Sequence, residues 1–238
     1  MLIYMRNAMM AGGKLSAKSY VQDGLVAMWD GIENAGWGTH DPNATTWKDV
    51  VHGAEIPLAS GMSFGDMELV FDNRSTTADT STALDNSIFS AVSTEFTVEF
   101  VEKVTKSYSG FGASSNMYLG YYSYHQMDRN RTLTCNDNTT YKQYAGVPYG
   151  TPYNCSIVRN IAANTMVVME NGSILTATSL GGRVCSLQNI LTMTNGWNGN
   201  VSSYNTNNIR IYSRALTADE IAANYAVDKA RFNLPDAT

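Results

Sequence analysis

The stretch 208–221 of this chain leaves few choices for how it folds. Ile209 and Ile211 alternate with Arg210 and Tyr212, the pattern of a strand that buries one face and turns the other to solvent. A helix start follows at once. Thr217 is placed to cap it and Glu220, three residues on, to complete a capping box; Leu216 before the cap and Ile221 at the fourth helical position can close a hydrophobic staple. The helix is expected over 217–232, because Pro235 forbids its continuation.

The rest of the chain reads as short strands. Strands are expected near 24–29, 67–72, 95–105, 117–124, 131–135, 154–160, 165–170, 173–178, 188–193 and 207–213, and a helical turn over 85–90. Asn171-Gly172 separates two β-prone runs and suits the positive φ angles of a two-residue type I′ hairpin. Trp29 and Trp47 read as core. Many short strands with one late helix favour a sandwich over alternating βαβ units. The chain's 238 residues, 44% of them apolar, suit one large β domain. Residues 20–238 are assigned to it. Residues 1–19, Met-rich and then glycine-rich, are assigned to an arm that is either disordered or docks on a partner.

Several blocks resemble laminin-G-like domains of the concanavalin A-like lectin/glucanase superfamily. The ending IRIYSRALTADEIAANY (209–225) is the most specific. DGLVAMW (23–29), TWKD (46–49), EFTVEF (95–100) and MVVMENGS (166–173) follow the family's order, so the resemblance spans residues 20–234. The wording of WDGIENAGW (29–37) and YAVDKARF (225–232) is similar to copies in gut bacteria and their phages or prophages. The resemblance implies an all-β fold: a two-sheet antiparallel jelly-roll sandwich, concanavalin A-like, with one C-terminal α-helix. That fold hosts lectins, adhesion modules, virion proteins and hydrolases, so function must be argued from sites.

Charge excludes some functions. Only 16% of residues are charged, against a usual ~25%, and the net charge is −5 with no basic run. Nucleic-acid binding needs clustered Lys and Arg and is not expected. No apolar run approaches the ~20 residues that span a bilayer. The first ten residues are not expected to act as a signal peptide, because the apolar stretch is short and Arg6 interrupts it. The expected setting is therefore a virion or cell surface, reached after synthesis in a bacterial cytoplasm. Cys135, Cys155 and Cys185 are an odd set at irregular spacing: one bridge plus a thiol, or three thiols.

Hydrolysis would need the glucanase arrangement, acidic residues alternating on one strand so that they flank a glycosidic bond. The strand here reads EFTVEFVE (95–102): Glu95 and Glu99 share a face, Thr97 stands between them and Glu102 falls on the other face. The triplet is absent. The strand is read with Phe96, Val98 and Phe100 inward and Glu99 outward, and no catalytic residue is assigned. The zinc, nucleophile-elbow and phosphate-loop motifs are absent, and His40, His52 and His125 are scattered. The resemblance makes Ca²⁺ a candidate cofactor. Asp30, Asp72, Asp79 and Asp137 are acidic loop positions for it, although each reads better as a solvated carboxylate and no metal site is assigned.

Recognition has better support. Nine of fourteen tyrosines lie between Tyr108 and Tyr153. Tyrosine combines an apolar face with a polar tip and suits wet interfaces and sugar rings. The candidate ligand-binding residues are Tyr121, Tyr122, Tyr124, Tyr141 and Tyr144, with Trp197, Asn195 and Asn198 from the loop NGWNG (195–199). The leading expectation is a non-catalytic attachment domain: a carbohydrate-binding decoration, fibre or tail-associated protein of a gut phage or prophage. Its partners would be a surface glycan and, through residues 1–19, other virion or surface proteins. The alternatives are a structural protein that binds only other chains, and a glycoside hydrolase with an unrecognised site.

Overall fold

The computed structural model describes residues 15–58, 61–71, 77–79, 95–106, 115–120, 123–127, 131–134, 140–144, 150–179, 192–195 and 203–236. It is an antiparallel β-sandwich of jelly-roll type with one C-terminal helix.

The first sheet is built around two long strands, β7 (Phe96–Lys106) and β16 (Ser203–Tyr212). Outward from β7 come β12 (Tyr153–Asn160), β13 (Thr165–Glu170) and β14 (Ser173–Ser179). Along its other edge β16 pairs with β5 (Leu69–Phe71) through its first half and with β1 (Leu25–Asp30) through its second; β4 (Met62–Phe64) extends the sheet beyond β5. The second sheet runs β11 (Thr140–Tyr144), β10 (Arg131–Thr134), β9 (Ser123–Met127), β8 (Ser115–Gly120), β15 (Thr192–Asn195), β6 (Thr77–Asp79). A small ribbon pairs β2 (Thr46–Lys48) with β3 (Glu55–Pro57).

Register explains the first sheet's apolar face. Val98 lies opposite Ile211 and Ile157, and Phe100 opposite Ile209 and Cys155. All six are fully buried, and each large aliphatic or aromatic side chain so buried contributes roughly 1.5–3 kcal/mol. Trp29 and Trp47 are buried too, as expected.

The other face departs from expectation. Alternation places Glu99, Arg210 and Tyr212 toward solvent, yet all three have 0% exposure. Helix α1 (Ala218–Phe232) and residues 17–21 cover them. The covering helix itself carries buried Asn224, Asp228 and Arg231 beside Ile221, Tyr225, Val227 and Phe232. A polar stripe on the sheet therefore meets a polar stripe on the helix.

The helix begins and ends as its sequence dictates. Thr217 accepts a hydrogen bond from the Glu220 backbone N–H (3.3 Å) while Glu220 accepts from the Thr217 N–H (2.9 Å). Leu216 and Ile221 share an apolar cluster with Val21, Val158, Met169 and Tyr212, so the staple forms. Asn233 ends the helix in the left-handed conformation, φ 55°. The Asn171-Gly172 hairpin also forms between β13 and β14, with φ 48° and 79°.

Two boundaries move. The strand expected over 117–124 is two strands: β8 ends at Gly120 and β9 begins at Ser123, and Tyr118 pairs with Tyr124. The tyrosine run carries no Asn-Gly or Asp-Gly signal, so the reversal is unmarked in the sequence. Of the arm expected over 1–19, residues 16–19 pack into the domain. Ser16 caps a 3₁₀ turn (Ala17–Ser19), and Ala17 is buried with Tyr20, Met28, Val50 and Val227. The turn expected over 85–90 lies outside the described residues.

Candidate functional site

The second sheet carries the described tyrosine candidates on β9 and β11, toward one of its edges. Tyr124 lies on β9 opposite Thr134 of β10, which lies opposite Thr140 of β11; Tyr141 is next along β11, and Tyr144 ends it opposite Arg131. Asn195 sits on β15 opposite Ser115, beyond β8. The three candidate tyrosines thus come from two strands, β9 and β11, on either side of β10, with Asn195 on β15 toward the other edge of the same sheet. Tyr121, Tyr122, Trp197 and Asn198 lie outside the described residues. Tyr153, part of the same sequence cluster, is fully buried on β12 of the first sheet.

The carboxylates considered for hydrolysis are committed elsewhere. Glu99 accepts from Ser156 Oγ (2.9 Å) at Oε1, and from Arg210 Nε (3.2 Å) and Asn224 Nδ2 (2.6 Å) at Oε2. Burial pushes its carboxyl up, against the pull of Arg210. Glu95, at the mouth of β7, accepts from the Ile161 N–H (3.1 Å).

Arg210 joins Glu99 to the helix, donating to both carboxylate oxygens of Asp228 (2.6 and 2.7 Å). Asp228 also accepts from Tyr20 Oη (2.8 Å), Asn154 Nδ2 (2.9 Å) and Asn208 Nδ2 (3.0 Å). Burial opposes the Arg210 charge, but Asp228 and Glu99 outweigh it and hold the guanidinium above its ordinary range. The Tyr20 ring lies 4.0 Å from the Arg210 guanidinium carbon. Burial, then Asp228, raises the Tyr20 hydroxyl.

Asp30 belongs to a second buried group. Arg231 donates to Oδ2 (2.6 Å) and Oδ1 (3.0 Å), and the backbone N–H groups of Ile32 and Glu33 donate to Oδ1 (both 3.0 Å). Burial raises this carboxyl and Arg231 opposes the shift. Asp30 is thus neither a loop ligand nor a solvated carboxylate. Asp79 is on β6, and Asp72 and Asp137 lie outside the described residues. Among the described residues no group of three or more His, Cys, Asp or Glu is arranged to hold a metal ion. His40 and His52 are exposed, and His125 is on β9 opposite Leu133.

The second group reaches the surface through Glu33. Its Oε1 accepts from Arg231 (3.2 Å) and the Ala17 N–H (2.6 Å), and its Oε2 accepts from the Gly38 N–H (2.8 Å). That last bond fixes the loop carrying Trp37, which is 37% exposed. Gly36 and Gly38 flank it at φ 119° and 68°. Thr39 N–H donates to Gly36 O (2.9 Å), and Ala35 N–H to Thr39 O (3.2 Å). Lys18 Nζ stands 5.2 Å from the indole centroid. Trp37 was absent from the sequence-derived site, although glycines flank it as they flank Trp197.

No family model matches the sequence, and no curated protein matches it. Solved structures do. Trypanosoma rangeli sialidase in complex with sialic acid superposes at TM-score 0.64 with 14% identity, over 87% of this chain and 33% of the sialidase. The binding domain of Botulinum Neurotoxin DC in complex with SialylT superposes at TM-score 0.66 with 13% identity, over 87% of this chain and 51% of that one. What is shared is the β-sandwich fold. The chain spans about a third of the sialidase and about half of the toxin chain. Among the described residues no helix is long and apolar enough to cross a membrane.

Proposed function

We propose that this chain is a non-catalytic recognition domain of the laminin-G-like kind that binds surface carbohydrate. The observation that carries the non-catalytic part is the state of Glu99. Its oxygens accept three hydrogen bonds from Ser156, Arg210 and Asn224 at 0% exposure, so it cannot approach a glycosidic bond. Carbohydrate as the ligand is supported by the sandwich shared with a toxin binding domain solved with SialylT, and by the placement of Tyr124, Tyr141 and Tyr144 on β9 and β11, on either side of β10. A phage or prophage particle of gut bacteria is the proposed setting, on the wording of 29–37 and 225–232, with the residues before Ser16 docking the domain to its particle.

A glycan array, run with and without chelator, tests the reading and any need for Ca²⁺. Binding that Trp197→Ala or Tyr141→Ala weakens is expected; a wild-type protein that binds no polysaccharide sinks it. The sialidase likeness favours hydrolysis as a second reading. Release of new reducing ends from a polysaccharide panel would establish that instead.

A further inference from the structure

The exposed indole of Trp37 is presented by a surface anchored to the core. Glu33, 4% exposed and held by Arg231, fixes the Gly38 N–H, and the loop's own backbone bonds close around it. A β-carbon added at Gly36 or Gly38 would meet nothing within 4 Å. Those glycines therefore serve the positive φ angles and not tight packing, and the backbone before and after Trp37 is uncrowded. Lys18 is exposed, and its ammonium lies over the same ring. A pre-organised aromatic ledge with one adjacent cation combines two recognition modes. The indole offers a flat apolar surface to the C–H face of a pyranose, and the ammonium offers a charge to a carboxylate.

We propose that Trp37 and Lys18 form a subsite for an acidic, carboxylate-bearing sugar, with the sugar ring stacked on the indole and the exposed ammonium drawn off the ring face to pair with the carboxylate. This rests on the carbohydrate-binding reading but names a surface separate from the tyrosine-bearing sheet. Fixing the loop through Glu33 lowers the ordering cost of binding.

Calorimetric titration of the full chain with sialyllactose and with lactose tests it. The wild type is expected to prefer sialyllactose. Trp37→Ala should weaken both ligands about tenfold, and Trp37→Phe, which keeps an aromatic face, should stay within a few-fold of wild type. Lys18→Gln should reduce sialyllactose to the lactose level and leave lactose unchanged. Matching thermal melts establish that the variants are folded. Wild-type affinity in Trp37→Ala, or no preference for the acidic sugar in the wild type, overturns the subsite. If the array shows other glycans bound by both wild type and Trp37→Ala, the subsite alone falls. If the wild type binds no glycan at all, both readings fall.

Discussion

Arg210 and Asp228 meet as a two-pronged ion pair, with both side chains at 0% exposure, between the centre of the first sheet and the last helix. Such a pair is weak evidence for net stability, because desolvating two charges offsets much of their attraction. Its consequence is asymmetric: losing one partner strands the other.

Asp228→Ala should therefore cost about 3–5 kcal/mol, since it leaves the Arg210 charge buried with Glu99 as its remaining partner. Urea denaturation reads this directly. Adding Arg210→Met should recover part of the loss, and a double-mutant cycle gives the coupling.

Tyr20→Phe should cost about 1–3 kcal/mol by removing one hydroxyl that donates to Asp228 and accepts from Asn208 and Arg231. Hydrogen exchange should quicken in residues 17–21 and in the helix together, because that hydroxyl joins them. Protection unchanged in the helix would show that the two segments are held independently.

Gly172→Ala should destabilise by about 1–3 kcal/mol. The turn needs φ 79° there, and an added Cβ would come within 3.1 Å of the Tyr225 ring. The hairpin thus constrains the helix across the sheet. Thermal denaturation, with Gly150→Ala as a comparison at similar φ but in open space, separates the ring contact from the backbone strain.

Glu220 gives a signed pH dependence. Its hydrogen bonds with Arg214, assisted by the Thr217 cap, lower the carboxyl from 4.5 to about 2. A lowered folded value means that its contribution is complete above the ordinary value and is lost as pH falls from about 4.5 toward 2. Glu220→Gln keeps the cap but loses the Arg214 ion pair, so it should cost roughly 0.2–1 kcal/mol at pH 7 and flatten the stability profile across that window. An unchanged acid limb would show that other carboxylates govern it.

Local chemistry made much of this fold legible. The capping box, the staple and the Asn-Gly turn each depend on residues a few positions apart, and each forms where its pattern stands. Alternation identified which residues share a face with Ile209 and Ile211, but it says nothing about what covers the other side. Burial of Arg210 and Glu99 depends on Asp228 and Asn224, a long way off in sequence, and only the fold brings them together. Trp37 carried the same glycine-flanked signal as Trp197, but its anchoring through Glu33 to Arg231 has no local trace. The break between Tyr118 and Tyr124 was hidden because the tyrosines around it favour strand.

The Asp228 cluster also bears on how the protein is made. Tyr20 near one end, Glu99 and Asn154 from the middle, and Arg210 and Asp228 near the other end contact one another directly. Until the last helix has left the ribosome, the central strands hold Arg210 against Glu99 alone. The final lock must then close a loop of 208 residues between Tyr20 and Asp228, a long-range step of the kind that slows folding. A chain interrupted before residue 228 would present the Arg210–Glu99 pair on an open sheet face. Quality-control factors that recognise unfinished chains would meet it as a sheet without its lid.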